Sequence, residues 1–145
     1  GRVSFERIVS GPGLPRILRF LARTGAPGTA LVEALAARDP AEVIAEFALN
    51  KQDPLAEQAL DIFVSAYGAF AGNMALVALA RGGVFVAGGI APKIATKLAD
   101  GTFMRAFTAK GRFEALLETI PVKIVMNEHV GLYGALAEAN RISGS

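Results

Sequence analysis

The chain has 145 residues, which is long enough for one domain with a buried core. It contains no cysteine, which excludes a disulfide scaffold and a thiolate metal site and fits a cytoplasmic protein. A net charge of +2 with scattered arginines gives only weak support to a nucleic-acid partner. Because 52% of the residues are hydrophobic and only 19% are charged, we expect a face that packs against something outside the chain.

Three helices are predicted in the first half of the chain. Segment 14–21 has leucine or isoleucine at i, i+3, i+4 and i+7, the pattern of an amphipathic helix. Asp39 is followed by a proline, and Glu42 lies where its side chain can reach back to the N–H of this N-cap. Asp53 is also followed by a proline and predicts the start of a long helix towards Ala80.

The long helix contains a stretch, 62–80, of nineteen residues without a charge. Its length just suffices for a membrane span, and Gly68 and Gly72 form the GxxxG pattern that suits helix packing in lipid. The polar Ser65 and Asn73, and the lack of a flanking basic cluster, favour a core helix and no membrane. In a core helix the two glycines would let another backbone, or a ligand, approach closely.

Two short apolar segments, 84–87 and 122–126, predict strands of a covered parallel sheet. About 33 residues separate them, a length that suits a right-handed crossover. Helical patterns within this connection cover 91–98, 102–107 and 112–118. A last, alanine-rich helix is predicted from about Leu132.

Gly88 and Gly89 follow the first strand directly. Parallel neighbours would place their carboxyl ends side by side, where open α/β sheets bind ligands, and would bring the glycines close to residues 127–129. The glycines would then let a flat ligand rest on the backbone, with N–H groups of the helix from Ala91 nearby. Two consecutive glycines after a strand more often form a tight turn that binds no ligand. Both interpretations, a ligand-binding turn and a turn without a ligand, stay open at this point.

Other candidate positions are weaker when each is considered alone. Glu6 is by default an exposed, solvated carboxylate, although two carboxylate oxygens are also natural acceptors for paired sugar hydroxyls. Segment 10–14, SGPGL, predicts a turn before a helix. His129 has no second histidine or cysteine for a metal site and no evident serine partner, which favours a structural role. Neither common glycine-rich nucleotide motif occurs.

Four blocks of the chain resemble, in the same order, the C-terminal part of the bacterial ATP-dependent glucokinases. They are VSFERIVSGPGL (3–14), GGVFVAGGIAPK (82–93), FMRAFTAKGRF (103–113) and IPVKIVMNEHVGLYGALAEA (120–139). This family has the actin-like, ribonuclease H-like sugar kinase fold shared with hexokinases and heat-shock ATPases. The resemblance implies a helix-rich α/β fold in which two parallel strands are covered by helices.

The resemblance also implies roles for particular residues. The glutamate of the family's S-x-E-R block binds glucose hydroxyls, and Glu6 occupies that position. The AGGI turn resembles the family's adenosine-side motif, so Gly88 and Gly89 are expected nucleotide contacts. The turn that follows, from Ala91 to Lys93, is expected to flank the base.

Two further segments bear on the resemblance. Asn73 lies in AGNMAL, which is similar to the family's GGN-x-A-L helix, where small residues help to bring the domains together around the cleft. At 127–132 the chain has NEHVGL where the family form is HDNPGL, so His129 is assigned no catalytic role.

The resemblance implies that residues 1–145 are the C-terminal, large-domain portion of a glucokinase. The family's phosphate-binding segments, catalytic aspartate and sugar loop would lie upstream of Gly1. The parent would phosphorylate glucose with ATP and Mg²⁺, both bound mainly by the missing half, and this chain would hold no metal itself. We therefore expect the chain alone to be inactive, and to self-associate through the face that the missing half leaves bare.

Two other functions remain open from the sequence. The kinase scaffold could serve a sugar- or nucleotide-sensing regulatory domain, which could be fused to a transcription regulator. A purely structural interaction domain is the other alternative. A parent that carries the catalytic aspartate would favour the enzyme, whereas a parent without it would favour the sensor.

Overall fold

The structure, a computed structural model, describes residues 4–144; Val3, with which the first of the four blocks begins, lies outside them. Eight α-helices and two β-strands form within the described residues. The helices are Gly13–Leu21 (α1), Thr29–Ala37 (α2), Pro40–Leu49 (α3), Pro54–Ala78 (α4), Ala95–Leu98 (α5), Thr102–Thr108 (α6), Glu114–Glu118 (α7) and Val130–Ser143 (α8). The strands are Val84–Val86 (β1) and Val122–Ile124 (β2), and 3₁₀ turns cover Phe5–Arg7, Pro92–Ile94 and Gly111–Phe113.

The two strands pair in parallel, as predicted, with Val84 opposite Val122 and Val86 opposite Ile124. The crossover between them carries α5, α6 and α7. One face of this small sheet packs on the helices, where Val86 is buried. The other face is open, and the ring of Phe85 is exposed there with the Lys123 ammonium 5.7 Å from its centroid.

Both predicted aspartate caps form. The Asp39 carboxylate accepts hydrogen bonds from the backbone N–H groups of Ala41 and Glu42 at the start of α3. Asp53 caps α4 in the same way and also accepts the N–H of Gly28, at 2.8 Å, which ties the loop before α2 to the start of α4. The carboxylate of Glu42 was predicted to accept the backbone N–H of Asp39. It accepts a hydrogen bond from the Lys93 ammonium group instead.

Helix α4 is the centre of the fold. It packs against α1, α3 and α6, and its buried side chains include Phe63 and Val64. By length and composition it is the one helix among residues 4–144 that could cross a membrane. Gly68 and Gly72, however, lie directly against the backbone of α6, so the predicted close approach is made by a second helix of the same chain. This packing gives α4 the role of a core helix.

Several local differences separate the predicted elements from the observed ones. The two strands end at Val86 and Ile124, before the predicted ends at 87 and 126, and the helix predicted over 112–118 divides into a 3₁₀ turn and α7. Helix α2 was not predicted, because only Leu31 of its nine residues is buried and the apolar periodicity is correspondingly weak. The helix expected over 91–98 divides into a 3₁₀ turn and the short α5, and the N–H groups of Lys93 and Ile94 both donate to the carbonyl of Ile90. The last helix begins at Val130, two residues before the predicted start.

Helix α8 carries its apolar residues in contact with solvent. None of its residues is buried, and Leu132, Tyr133 and Leu136 are each at least 59% exposed. At helical spacing these three side chains share one stripe. The structure therefore leaves an apolar stripe of this helix in solvent, and its packing against something outside the chain stays a prediction.

Candidate functional site

The turn after β1 places two glycines at the carboxyl end of the sheet. Gly88 has a φ of +105°, a conformation that side chains rarely adopt, so the backbone itself requires glycine there. The backbone of Gly89, in contrast, does not have the positive φ that favours glycine. A Cβ at this position would also meet no atom within 4 Å. The chain therefore needs no glycine at position 89 for its own packing, and the space beside this backbone is open to a ligand.

A cavity of about 1000 Å³, called here the larger cavity, opens beside this turn. Its lining comes from the segment 10–19, from α3 with the residues just before it, and from the turn region 89–94. Leu14, Leu60, Phe63, Ile90 and Ile94 supply apolar lining. The volume matches the upper end of the range that small-molecule sites occupy.

Charged side chains surround this apolar lining, and several are paired. Lys93 donates to Glu42 at 2.5 Å, and Arg38 donates to Glu46 at the same distance. The hydrogen bond to Glu42 raises the pKa of Lys93, with smaller contributions from the charges of Glu42, Glu128 and Asp39. Glu42 and Glu46 lie one helical turn apart on α3. Their ion pairs therefore connect α3 to Arg38, directly after α2, and to Lys93, in the turn region after β1.

A smaller cavity of about 390 Å³ lies on the other side of the same turn. Glu6, Gly88 and Gly89 all line it. Aromatic residues form much of the remaining lining, with the rings of Phe5 and Phe70 4.8 Å apart between their centroids. Because Gly89, Ile90 and Phe63 line both cavities, the turn separates two adjoining spaces.

The residues predicted from the sequence fall into four groups, three of which line a cavity. Glu6 and Gly88 line the smaller cavity, Lys93 lines the larger one, and Gly89 lines both. Ala91 lines neither, because its side chain is only 1% exposed and packs in the core. A contact from Ala91 to a ligand would therefore come from its backbone, and its predicted role stays a prediction.

The expected neighbours at the end of β2 also belong to this region. The carboxylate of Glu128 is near enough to Lys93 to contribute to the raised pKa of that lysine. The side chain of Asn127 accepts the N–H of His129 and shapes the turn into α8. His129 thus takes part in a local turn through its backbone.

Arg16 and Arg19 line the larger cavity and were not predicted. A signal for them exists in the sequence, because the two arginines are three residues apart on the polar side of the amphipathic segment 14–21. Glu42 and Glu46 were also missed as cavity residues, since the partner of Glu42 is 51 positions away and the partner of Glu46, Arg38, directly follows a helix that was not predicted.

The described residues offer little to a metal ion. No group of three or more histidine, cysteine, aspartate or glutamate side chains comes together within 4–144. In the larger cavity the carboxylates of Glu42 and Glu46 are engaged by cations, and Asp39 is engaged by backbone N–H groups. These three carboxylates of the larger cavity therefore already have partners.

Comparison with known proteins gives consistent matches along the chain. A family model described as "Glucokinase" matches residues 1–142. Proteins named glucokinase from Synechocystis sp. and Nostoc sp. are 45% and 44% identical over 93% and 97% of this chain. A crystal structure of glucokinase from an Antarctic psychrotroph superposes on 94% of the chain with a TM-score of 0.74 at 29% identity.

The same comparisons measure how much of these relatives the chain represents. It spans 42% and 45% of the Synechocystis and Nostoc sequences, and 40% of the crystallised chain. The superposed structure has the actin-like fold, so the observed helices and the parallel strand pair are a part of that fold.

Proposed function

This chain belongs to the glucokinase family, and from that premise we propose that it is part of an enzyme that transfers the γ-phosphoryl group of ATP to glucose. The observation that carries the proposal is the smaller cavity. It joins Glu6, the residue that the family resemblance assigns to glucose, to Gly88 and Gly89, which the resemblance assigns to the nucleotide. Two substrates that react with each other must meet at adjoining sites, and these residues adjoin.

In the proposed arrangement Glu6 accepts hydrogen bonds from two glucose hydroxyls, since each carboxylate oxygen can take an O–H donor. The adenosine rests on the backbone of Gly88 and Gly89 and extends into the larger cavity towards Lys93. The glucose 6-hydroxyl attacks the γ-phosphorus in line, and ADP leaves with the bridging oxygen. The proton acceptor is the family's aspartate, which the resemblance puts outside these 145 residues. We further propose that the parent enzyme works in the cytoplasm.

Mg²⁺, when bound to such an enzyme, neutralises charge on the transferred phosphoryl group. Within residues 4–144 no three histidine, cysteine, aspartate or glutamate side chains come together, which supports placing the ion elsewhere in the parent protein. We propose that this chain supplies the nucleoside side of the cleft and one sugar contact, and that the phosphates and the metal are held by the rest of the parent protein.

The nucleotide assignment is tested by thermal unfolding of the chain with and without millimolar ADP. ADP at about 100 times its Kd should stabilise the folded chain by roughly 2.7 kcal/mol. Gly89→Val should abolish this shift while leaving the unliganded protein folded, because a Cβ at position 89 meets no protein atom within 4 Å. The valine would instead fill the place of the ligand.

Gly82→Val is the matched control for that experiment. Gly82 also has open space around it, and it lines neither cavity. This variant should keep the full ADP shift. Equal ADP shifts in the wild type and in Gly89→Val would contradict the nucleotide site.

We also expect the chain to self-associate through the exposed stripe of α8, because Leu132, Tyr133 and Leu136 lie in solvent. Light scattering should give a mass above that of one chain. Replacing Leu132 and Leu136 with glutamate should return the mass to that of a monomer, whereas Gly134→Glu, on the opposite side of α8, should not. A monomeric wild type would count against this expectation.

A further inference from the structure

Two arginines of α1, Arg16 and Arg19, project from the wall of the larger cavity. They are three residues apart, so their side chains share one face of the helix. Both residues are exposed, and both line the cavity that also contains Gly89 and Lys93. Buried leucines and an isoleucine on the opposite side of α1 hold the helix against the core, which fixes where the two arginines emerge.

The carboxylates of the same cavity have other partners. Glu42 is paired with Lys93, and Glu46 is paired with Arg38. Asp39 accepts two backbone N–H groups at the start of α3. No acid of the cavity is thus paired with an α1 arginine within the described part of the chain.

The two guanidinium groups differ in how they are held. Arg16 donates from Nη1 to the carbonyl oxygen of Arg7 at 3.3 Å, which restrains its side chain and leaves both faces of the guanidinium plane uncovered by this bond. Within residues 4–144 Arg19 makes no side-chain hydrogen bond or ion pair. A restrained arginine loses less conformational entropy on binding than a free one.

A planar guanidinium recognises either an anionic group, through paired N–H donors, or a flat aromatic ring, through stacking. The apolar lining near these arginines, from Leu14, Leu49 and Ile94, is poorly suited to a phosphate and well suited to a ring. We propose that Arg16 and Arg19 stack on the purine base of the bound nucleotide and position it in the larger cavity. This inference rests on the nucleotide assignment of the proposed function, and extends it to residues on α1.

The test compares two ligands, adenosine and ADP, by calorimetric titration of the full 145-residue chain. The variant Arg16→Gln/Arg19→Gln should bind both ligands about ten-fold more weakly, a loss of roughly 1.4 kcal/mol, because the stacking of two planar guanidinium groups on the base is removed. The ratio of the two affinities should stay as in the wild type, since adenosine has the base and lacks the phosphates. Weakening of ADP alone would show that the arginines bind phosphate and would overturn the proposal.

Two further variants make the result specific. Arg16→Lys/Arg19→Lys keeps both charges but loses the planar groups, so it should bind adenosine nearly as weakly as the glutamine variant. Full affinity in this variant would mean that charge alone is needed, which again overturns stacking. Arg23→Gln alters another exposed arginine of the same region that does not line the cavity, and should bind both ligands as the wild type does.

The outcomes separate this inference from the function on which it rests. If wild-type chain binds neither adenosine nor ADP, the nucleotide site itself is wrong, and the arginine role fails with it. If the wild type binds both and the glutamine variant binds them equally well, only the arginine role is wrong. Both arginines are exposed, so the variants should unfold at the temperature of the wild type, and a melting curve of each confirms this before titration.

Discussion

Replacing Gly68 with alanine is expected to destabilise the folded chain by roughly 2–3 kcal/mol, in the upper part of the range for overpacked cores. A Cβ at this position would lie well under 3.0 Å from the carbonyl oxygen of Phe103. That oxygen belongs to the backbone of α6, so it cannot turn away as a flexible side chain would. Helices α4 and α6 must separate to admit the methyl group, and the packing around Phe103 and Phe107 is loosened.

Chemical denaturation of the two proteins measures this loss as a lower midpoint with an unchanged slope. Gly134→Ala is the control, because Gly134 lies within α8 and a Cβ there meets no atom within 4 Å. Alanine is the better helix former, so this second variant should be at least as stable as the wild type. If Gly68→Ala matches the wild type in stability, the close packing of α4 on α6 is wrong.

The second expected result is that the purified chain alone forms no glucose 6-phosphate from glucose and ATP. The physical reason is that a positioned general base and charge stabilisation of the phosphoryl group account for most of the rate of such a transfer. The family resemblance places the aspartate and the phosphate-binding segments outside these residues. The chain spans only 40–45% of the length of the three glucokinases compared above.

A coupled assay with excess glucose and ATP measures this directly, over hours and at high protein concentration. The full-length glucokinase of Synechocystis sp. is the positive control, since it is 45% identical to the chain where they align. Steady turnover that scales with the concentration of the chain would refute the expected inactivity. It would also mean that a proton acceptor lies among the residues printed here.

The sequence predicted the elements whose signals are local. Asp39 and Asp53, each followed by proline, marked the starts of α3 and α4, because an N-cap acts on N–H groups two or three residues away. The apolar runs around Val84 and Val122 marked the two strands, and the length between them was enough to predict parallel pairing. Helix α2 was missed because a helix with one buried side chain has little periodicity to detect.

The candidate site was predicted only in part. The family resemblance assigned binding roles to four residues that line a cavity in the structure, Glu6, Gly88, Gly89 and Lys93. Their roles in binding remain predictions until the ligands are tested. Ala91 came from the same resemblance, yet its side chain lies in the core, since a motif of consecutive residues does not say which of them points inward.

By itself, then, the sequence determined the starts of α3 and α4, the strand pair and the family, because caps, apolar periods and motifs depend on residues close together in the chain. The tertiary structure decided which distant residues meet. Lys93 reaches Glu42 across 51 positions, and Arg16 shares a cavity with Gly89. The sequence left open whether a backbone or a ligand approaches Gly68, and the packing of α6 on α4 gave the answer. Such contacts depend on how helices pack in space, and no local pattern in the sequence records that.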